Sequence, residues 1–255
     1  MNIADELSIQ LYSLRDYGDL ERQLAALSKI GFRRVEITGA HIENAKDTRA
    51  RLDNYGISAP TGHVPMEVLR DRLDRVAEQA NTIGMKELYM PALPVAEREL
   101  PADGWRRVGA ELGWTAERLK GHGLALGYHN HDWELKLFPD GKTGLDHLFA
   151  GADGSSLTFE ADLAWLVRGG ADPSAWMRGQ GKRLTAVHVK DIGRPGADPD
   201  EEGWSDVGAG TLDWPKLWGE AVALGAKWMV LEHDKPKDPI GFAKASRAYL
   251  LQQVG

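Results

Sequence analysis

The chain has 255 residues, 42% of them hydrophobic and 27% charged, the composition of an ordinary globular protein rather than a disordered, collagenous or membrane one. Its 31 Lys+Arg against 38 Asp+Glu give a net charge of −7 and no basic stripe, which argues against a nucleic-acid partner and for a small-molecule one. With no cysteine there is no disulfide, thiolate nucleophile or cysteine-ligated zinc, so any metal must sit on His, Asp and Glu.

Short apolar runs alternate with amphipathic stretches along the whole chain. The strand candidates are Leu7–Leu14, Arg34–Thr38, Ser58–Val64, Glu87–Pro91, Leu124–His131, Leu157–Leu163, Leu184–Asp191 and Trp228–Asp234. Helical patterns lie between them at Leu20–Ile30, Asn44–Tyr55, Met66–Ile83, Gly104–His122, Leu145–Ala150, Pro173–Arg178, Trp214–Leu224 and Gly241–Gln253. In the third, Val68, Leu69, Leu73, Val76, Ala77, Ala80 and Ile83 form one stripe at three- and four-residue spacing. Several helices stop at a glycine just before a strand, as at Ile30-Gly31, Ile83-Gly84 and Leu224-Gly225, the left-handed stop that a tight helix-to-strand connection uses. No Pro/Ser-rich linker divides the chain, and its longest irregular stretch, Ile192–Asp213, falls inside the seventh unit. The pattern predicts one domain over residues 1–255, a closed (β/α)₈ barrel, with a doubly wound open sheet as the alternative. No window approaches a membrane span and the start lacks an apolar secretion signal, so the expected location is cytoplasmic, with no membrane partner and room for a homo-oligomer.

Barrel enzymes do their chemistry at the C-terminal strand ends, and polar residues collect there. Parity in LTAVHVKD turns His188 and Lys190 inward, in LTFEADL it turns Glu160 and Asp162 inward, and in WMVLEHD it pairs Glu232 with Asp234 opposite His233. Ionisable groups in buried strands carry a desolvation penalty that something must offset. An imidazole and two carboxylates on neighbouring strands suit a divalent ion such as Mn, Co, Mg, Zn or Fe(II), whereas a buried ion-pair network is the metal-free reading. Tyr12, Glu36 and His63 end the first three strands and would contact a substrate's hydroxyls or serve packing, and Trp133 and Trp165 could stack on a sugar face. His41, His122 and His147 fall on or beside helices and read as surface residues. The glycines at Gly208-Ala209-Gly210 match no phosphate-cradling motif.

YHNHDWEL in strand five, FEADLAW in strand six, VHVKD in strand seven and LEHD in strand eight resemble the xylose isomerase-like sugar phosphate isomerase/epimerase barrels. QLYSLR in strand one and VEI in strand two are similar to that family's opening. The resemblance implies one divalent metal held from strands five to eight, and it carries Asp162, His188 and Glu232 onto this chain. The fourth position departs from the pattern: His129 stands where the family's epimerases have glutamate, so either His129 ligates or Glu134, five residues on, folds back to do so. His129 is preferred here, because it shares the inward parity of His131.

The implied activity is a metal-dependent isomerase or epimerase acting on a small sugar or keto-sugar. Glu232 would be the base, and Glu134, Lys190 or His131 the proton donor. His131, Tyr12, Glu36, His63 and Asp234 would contact substrate. A single carboxylate base fits isomerisation or elimination at least as well as two-base epimerisation, so a keto-sugar dehydratase or lyase is the alternative. An endonuclease IV-like phosphodiesterase and a non-catalytic sugar-binding barrel are the remaining readings, the first disfavoured by negative charge.

Overall fold

The computed structural model describes residues 3–255; Met1 and Asn2, with which the expected domain begins, lie outside the described residues. Eight parallel strands close into a barrel: β1 (Leu7–Gln10), β2 (Arg34–Thr38), β3 (Ser58–His63), β4 (Glu87–Met90), β5 (Ala125–His129), β6 (Thr158–Asp162), β7 (Leu184–Val189) and β8 (Trp228–Leu231). Each strand pairs with its sequence neighbours, and β8 returns to β1 with Leu7 opposite Met229 and Ile9 opposite Leu231. Closure as a (β/α)₈ barrel is therefore as expected, and the open-sheet alternative is excluded.

The outer layer follows the amphipathic stretches: α1 (Leu20–Ile30), α2 (Ala45–Asn54), α3 (Met66–Ile83), α4 (Ala102–Lys120), α5 (Gly144–Gly151), α6 (Pro173–Gln180), α7 (Trp214–Leu224) and α8 (Pro239–Gln253). The stripe read on α3 is the buried one, with Leu69, Leu73, Val76, Ala77, Ala80 and Ile83 all turned into the core. Gly31 and Gly84 end α1 and α3 at φ of 102° and 90°, where any side chain would be strained. Helices α4 and α5 touch backbone to backbone: a Cβ on Gly109 would stand 1.9 Å from the Leu148 carbonyl oxygen, and one on Gly151 2.0 Å from that of Arg106.

Strand parity divides the core into two chemistries. Outward residues such as Ile9, Val35, Leu88, Phe159, Val187 and Leu231 are fully or almost fully buried against the helices. The inward residues are largely polar and equally buried: Gln10, Glu36, His63, Glu87, His129, Glu160, Asp162 and His188. At the N-terminal end of the barrel Glu87 accepts hydrogen bonds from the Thr185 hydroxyl (2.7 Å) and Trp228 Nε1 (3.1 Å), which closes that end with a satisfied network.

The strands are shorter than the apolar runs suggest. Strand β1 stops at Gln10 and the chain coils into a 3₁₀ turn over Leu11–Leu14, while β5 ends at His129 and β8 at Leu231. The polar residues beyond these points leave the ladder and form the mouth. Two short helices, Gly39–Glu43 and Leu163–Arg168, also fall at strand exits. The irregular stretch after β7 is organised by a hairpin, Asp191–Ile192 against Trp204–Ser205, and by one carboxylate. Buried Asp191 accepts from the backbone N–H groups of Ile192, Gly208, Thr211 and Leu212 at 2.9 to 3.0 Å. Gly210 lets that loop close, since a Cβ there would stand 2.2 Å from Asp191 Oδ1.

Candidate metal centre at the barrel mouth

Asp162 ends β6 and caps the helix that follows it. Its Oδ1 accepts from Trp165 N at 2.9 Å, while Oδ2 is buried with no hydrogen-bond partner. Register places His188 beside it on β7, with Nδ1 3.9 Å from Asp162 Oδ2. Glu232, the first residue past β8, completes a buried group whose donor atoms all lie within 4.8 Å of one another. Lys190, the first residue past β7, reaches the same group: its Nζ is 2.9 Å from Glu232 Oε2 and 3.7 Å from Asp162 Oδ2, and it also pairs with Asp234. Trp204 lies over that ammonium at 3.9 Å, with the Arg168 guanidinium on the ring as well.

The electrostatics follow from burial. Burial, reinforced by Asp234 and opposed by Lys190, pushes the Glu232 carboxyl up to about 7. Burial likewise raises Asp162, against the pull of Lys190 and His188. For Lys190 burial alone would lower the ammonium, but Glu232, Asp162 and Asp234 together hold it above its ordinary range. The donor set fits a divalent ion: two carboxylates and an imidazole, all buried, with Asp162 Oδ2, Glu232 Oε1 and His188 Nδ1 lacking hydrogen bonds.

A second group lies one layer further into the barrel. His63, His129, Glu160 and His188 also bring their donor atoms within 4.8 Å of one another. Glu160 Oε2 is 2.6 Å from His63 Nε2, 3.0 Å from His129 Nδ1 and 3.3 Å from His188 Nε2. Glu36 Oε1 joins them, 2.9 Å from His188 Nε2 and accepting from Gln10 Nε2 at 2.9 Å. Burial works against ionising Glu160, yet His188 and His63 hold its carboxyl well below the usual range. His188 is correspondingly raised, its burial outweighed by Glu160 and Glu36, while burial and the neighbouring His188 push His129 down.

A cavity of about 240 Å³ opens above both groups, and Tyr12, His63, His131, Trp165, Glu232 and Asp234 line it. His131 stacks on Trp133 at 4.0 Å between centroids, and Arg98 covers that indole's ring at 4.1 Å. Tyr12 sits past β1 in the 3₁₀ turn and is 43% exposed, so it belongs to the rim rather than to a strand end. Asp234, half-turned to solvent, shares that rim.

Three expectations need correction. Glu134 does not line the cavity, although its Oε1 is 4.0 Å from Nδ1 of His131, which does. It is fully buried behind β5, accepting from the Tyr128 hydroxyl (2.7 Å) and His131 N (3.0 Å), because Tyr128 has outward parity and draws the carboxylate to the helix side. His129 does not join Asp162 and Glu232 either; Glu160 draws it into the lower group. His147 is no surface residue, being 1% exposed with its ring edge-on to Phe138 at 5.2 Å. Parity turns Glu160 inward but assigns it no partner, since alternation reports facing and not which inward groups meet across the barrel.

The sequence model of the xylose isomerase-like TIM barrel matches residues 24–253. The chain belongs to this family. It is 24% identical over 270 residues to the rhizopine catabolism protein MocC of Rhizobium meliloti, covering 92% of this chain and 82% of that protein. A sugar phosphate isomerase/epimerase from Parabacteroides distasonis superposes with a TM-score of 0.80 at 22% identity, covering 97% and 94% of the two chains. The zinc-bound IOLI protein superposes with a TM-score of 0.74 at 13% identity, covering 98% of each. At these identities the two structures share the fold. Among the described residues no helix is long and apolar enough to cross a membrane.

Proposed function

We propose that this family member is a metal-dependent enzyme that moves a proton on the carbon next to the carbonyl of a small keto-sugar or keto-polyol. The observation that carries this reading is the buried Asp162–His188–Glu232 group facing a cavity of about 240 Å³ at the C-terminal strand ends. That volume lies below the usual range for drug-sized ligands and fits a monosaccharide better than a nucleic-acid strand. A net charge of −7 also disfavours phosphodiester substrates.

Asp162, His188 and Glu232 would hold the ion, and when bound it would supply Lewis acidity to a carbonyl and hydroxyl pair. Glu232 is the candidate base, a buried carboxylate that lines the cavity beside Asp162 and His188. Lys190 orients Glu232 and Asp234 through its ammonium. Trp165 and the His131–Trp133 stack offer apolar faces to a sugar ring, while Tyr12 and Asp234 offer hydrogen bonds at the rim.

The outcome of the proton transfer is the finer question. Among the described residues no carboxylate faces Glu232 from β5, where His129 is drawn down to Glu160 and Glu134 is turned outward. That arrangement favours one-base isomerisation, with elimination as the second reading, over epimerisation by two carboxylates.

The test is proton NMR in D₂O with metal-loaded protein and a panel of keto-sugars and keto-polyols. Exchange of the C–H beside the carbonyl, abolished in Glu232→Gln and reduced with metal content in Asp162→Asn, is the expected result; loss of a metal ligand should weaken metal affinity at least about tenfold. Metal content unchanged in Asp162→Asn, or no exchange with any member of the panel, would overturn the assignment.

A further inference from the structure

We infer that the His63–His129–Glu160–His188 group is a second divalent-cation site, sharing His188 with the Asp162–His188–Glu232 set above it. Three imidazole nitrogens converge on the single oxygen Oε2 of Glu160, at 2.6, 3.0 and 3.3 Å. The hydrogen bonds with His63 and His129 already use that oxygen's two lone pairs, and His188 Nε2, which is hydrogen-bonded to Glu36 Oε1, still crowds in beside them. The other oxygens of the two carboxylates, Glu160 Oε1 and Glu36 Oε2, are buried with no hydrogen-bond partner at all. A network built for protons would spread its donors over these acceptors. This one sets three ring nitrogens within 3.3 Å of one oxygen and leaves two others without a partner.

The spacing fits a metal. Zinc–nitrogen bonds of about 2.0–2.1 Å put tetrahedral ligands roughly 3.3 Å apart, and the contacts to Glu160 approach that edge length from below. Three imidazoles and a carboxylate suit zinc or cobalt(II) better than magnesium or calcium. Glu36, 2.9 Å from His188 Nε2 and 3.2 Å from His63 Nε2, supplies further negative charge beside the ion. His63, His129 and His188 also line the mouth cavity, so an ion has a way in.

His188 joins the two sets, directing Nε2 to Glu160 and Glu36 and Nδ1 towards Asp162. The lower site therefore needs neither Asp162 nor Glu232, and it stands whether or not the upper set binds metal.

The experiment is equilibrium dialysis of the full chain against zinc or cobalt(II), with bound metal counted by mass spectrometry. Wild type should hold two equivalents, Asp162→Asn one and Glu160→Gln one. The ion left in Asp162→Asn should show imidazole-rich scattering in X-ray absorption. If Glu160→Gln fails to fold by circular dichroism, His63→Asn at the cavity wall serves in its place with the same expected loss. One equivalent that survives Asp162→Asn but not Glu160→Gln would keep the lower site and remove the upper. A wild type that holds a single equivalent and loses it in Asp162→Asn, stoichiometry unchanged in Glu160→Gln or its His63→Asn substitute, or no bound metal would each overturn the lower site.

Discussion

Glu134 is fully buried behind β5, and burial pushes its carboxyl up to about 7 despite hydrogen bonds from Tyr128 and the His131 backbone. The folded state thus keeps a proton that the unfolded chain releases near its ordinary value of 4.5. Between those two values the native state binds more protons, so this group's contribution to stability falls as pH rises through the window. The difference is on the order of 3 kcal/mol. Glu134→Gln should remove that dependence, so its melting temperature relative to wild type should climb from pH 5 to pH 8; a constant gap would contradict the buried placement. Lys190 behaves in the opposite sense, because it offsets the charge of Glu232, Asp162 and Asp234. Removing one partner of a buried ion pair costs roughly 3–5 kcal/mol. Lys190→Met should therefore lower the melting temperature of chelator-treated protein by on the order of 10 °C. The loss should shrink when metal is added, since an ion would serve the same carboxylates. An equal loss with and without metal would show that the lysine acts through packing alone.

At the scale of elements, glycine has opposite meanings in different helices. In α4, Gly109 lies against the Leu148 carbonyl of α5, and neither backbone can yield without separating the helices. Gly109→Ala should destabilise by about 3 kcal/mol or more, the upper end of overpacking penalties. Gly219 in α7 is exposed and has open space where a Cβ would go. Gly219→Ala should instead stabilise by roughly 0.5–1 kcal/mol through helix propensity. Urea unfolding of the two variants separates them, and a neutral Gly109→Ala would show that α4 and α5 do not pack this closely. The strand ends carry a related lesson. Apolar runs such as Leu7–Leu14 and Leu124–His131 mark where the chain is buried, but burial continues past the last ladder hydrogen bond into turns, so the runs overestimate strands that stop at Gln10 and His129.

Over the whole molecule, the eight units and their glycine stops were legible because both are local, whereas periodicity cannot see closure, and the pairing of β8 with β1 decides it against the open sheet. Inward facing of Asp162, His188 and Lys190 was legible from alternation for the same reason. What alternation leaves open is which inward groups meet across the barrel. His63 on β3 finds Glu160 on β6, 97 positions away, and Glu36 on β2 finds His188 on β7, 152 away. The same blindness hid the outward turn of Glu134, which depends on the Tyr128 hydroxyl.

The four amide hydrogen bonds accepted by Asp191 give the long segment after β7 a dynamic character that its irregular shape conceals. Amides held by a buried carboxylate exchange with solvent only when that anchor lets go, so Gly208, Thr211 and Leu212 should be protected in hydrogen-exchange measurements as core amides are. Asp191→Ala should speed their exchange at least about tenfold, the equivalent of one lost buried hydrogen bond. Protection unaffected by the substitution would mean that the hairpin holds the segment unaided. With the anchor intact, this segment should open only together with the barrel wall rather than as an independent flap.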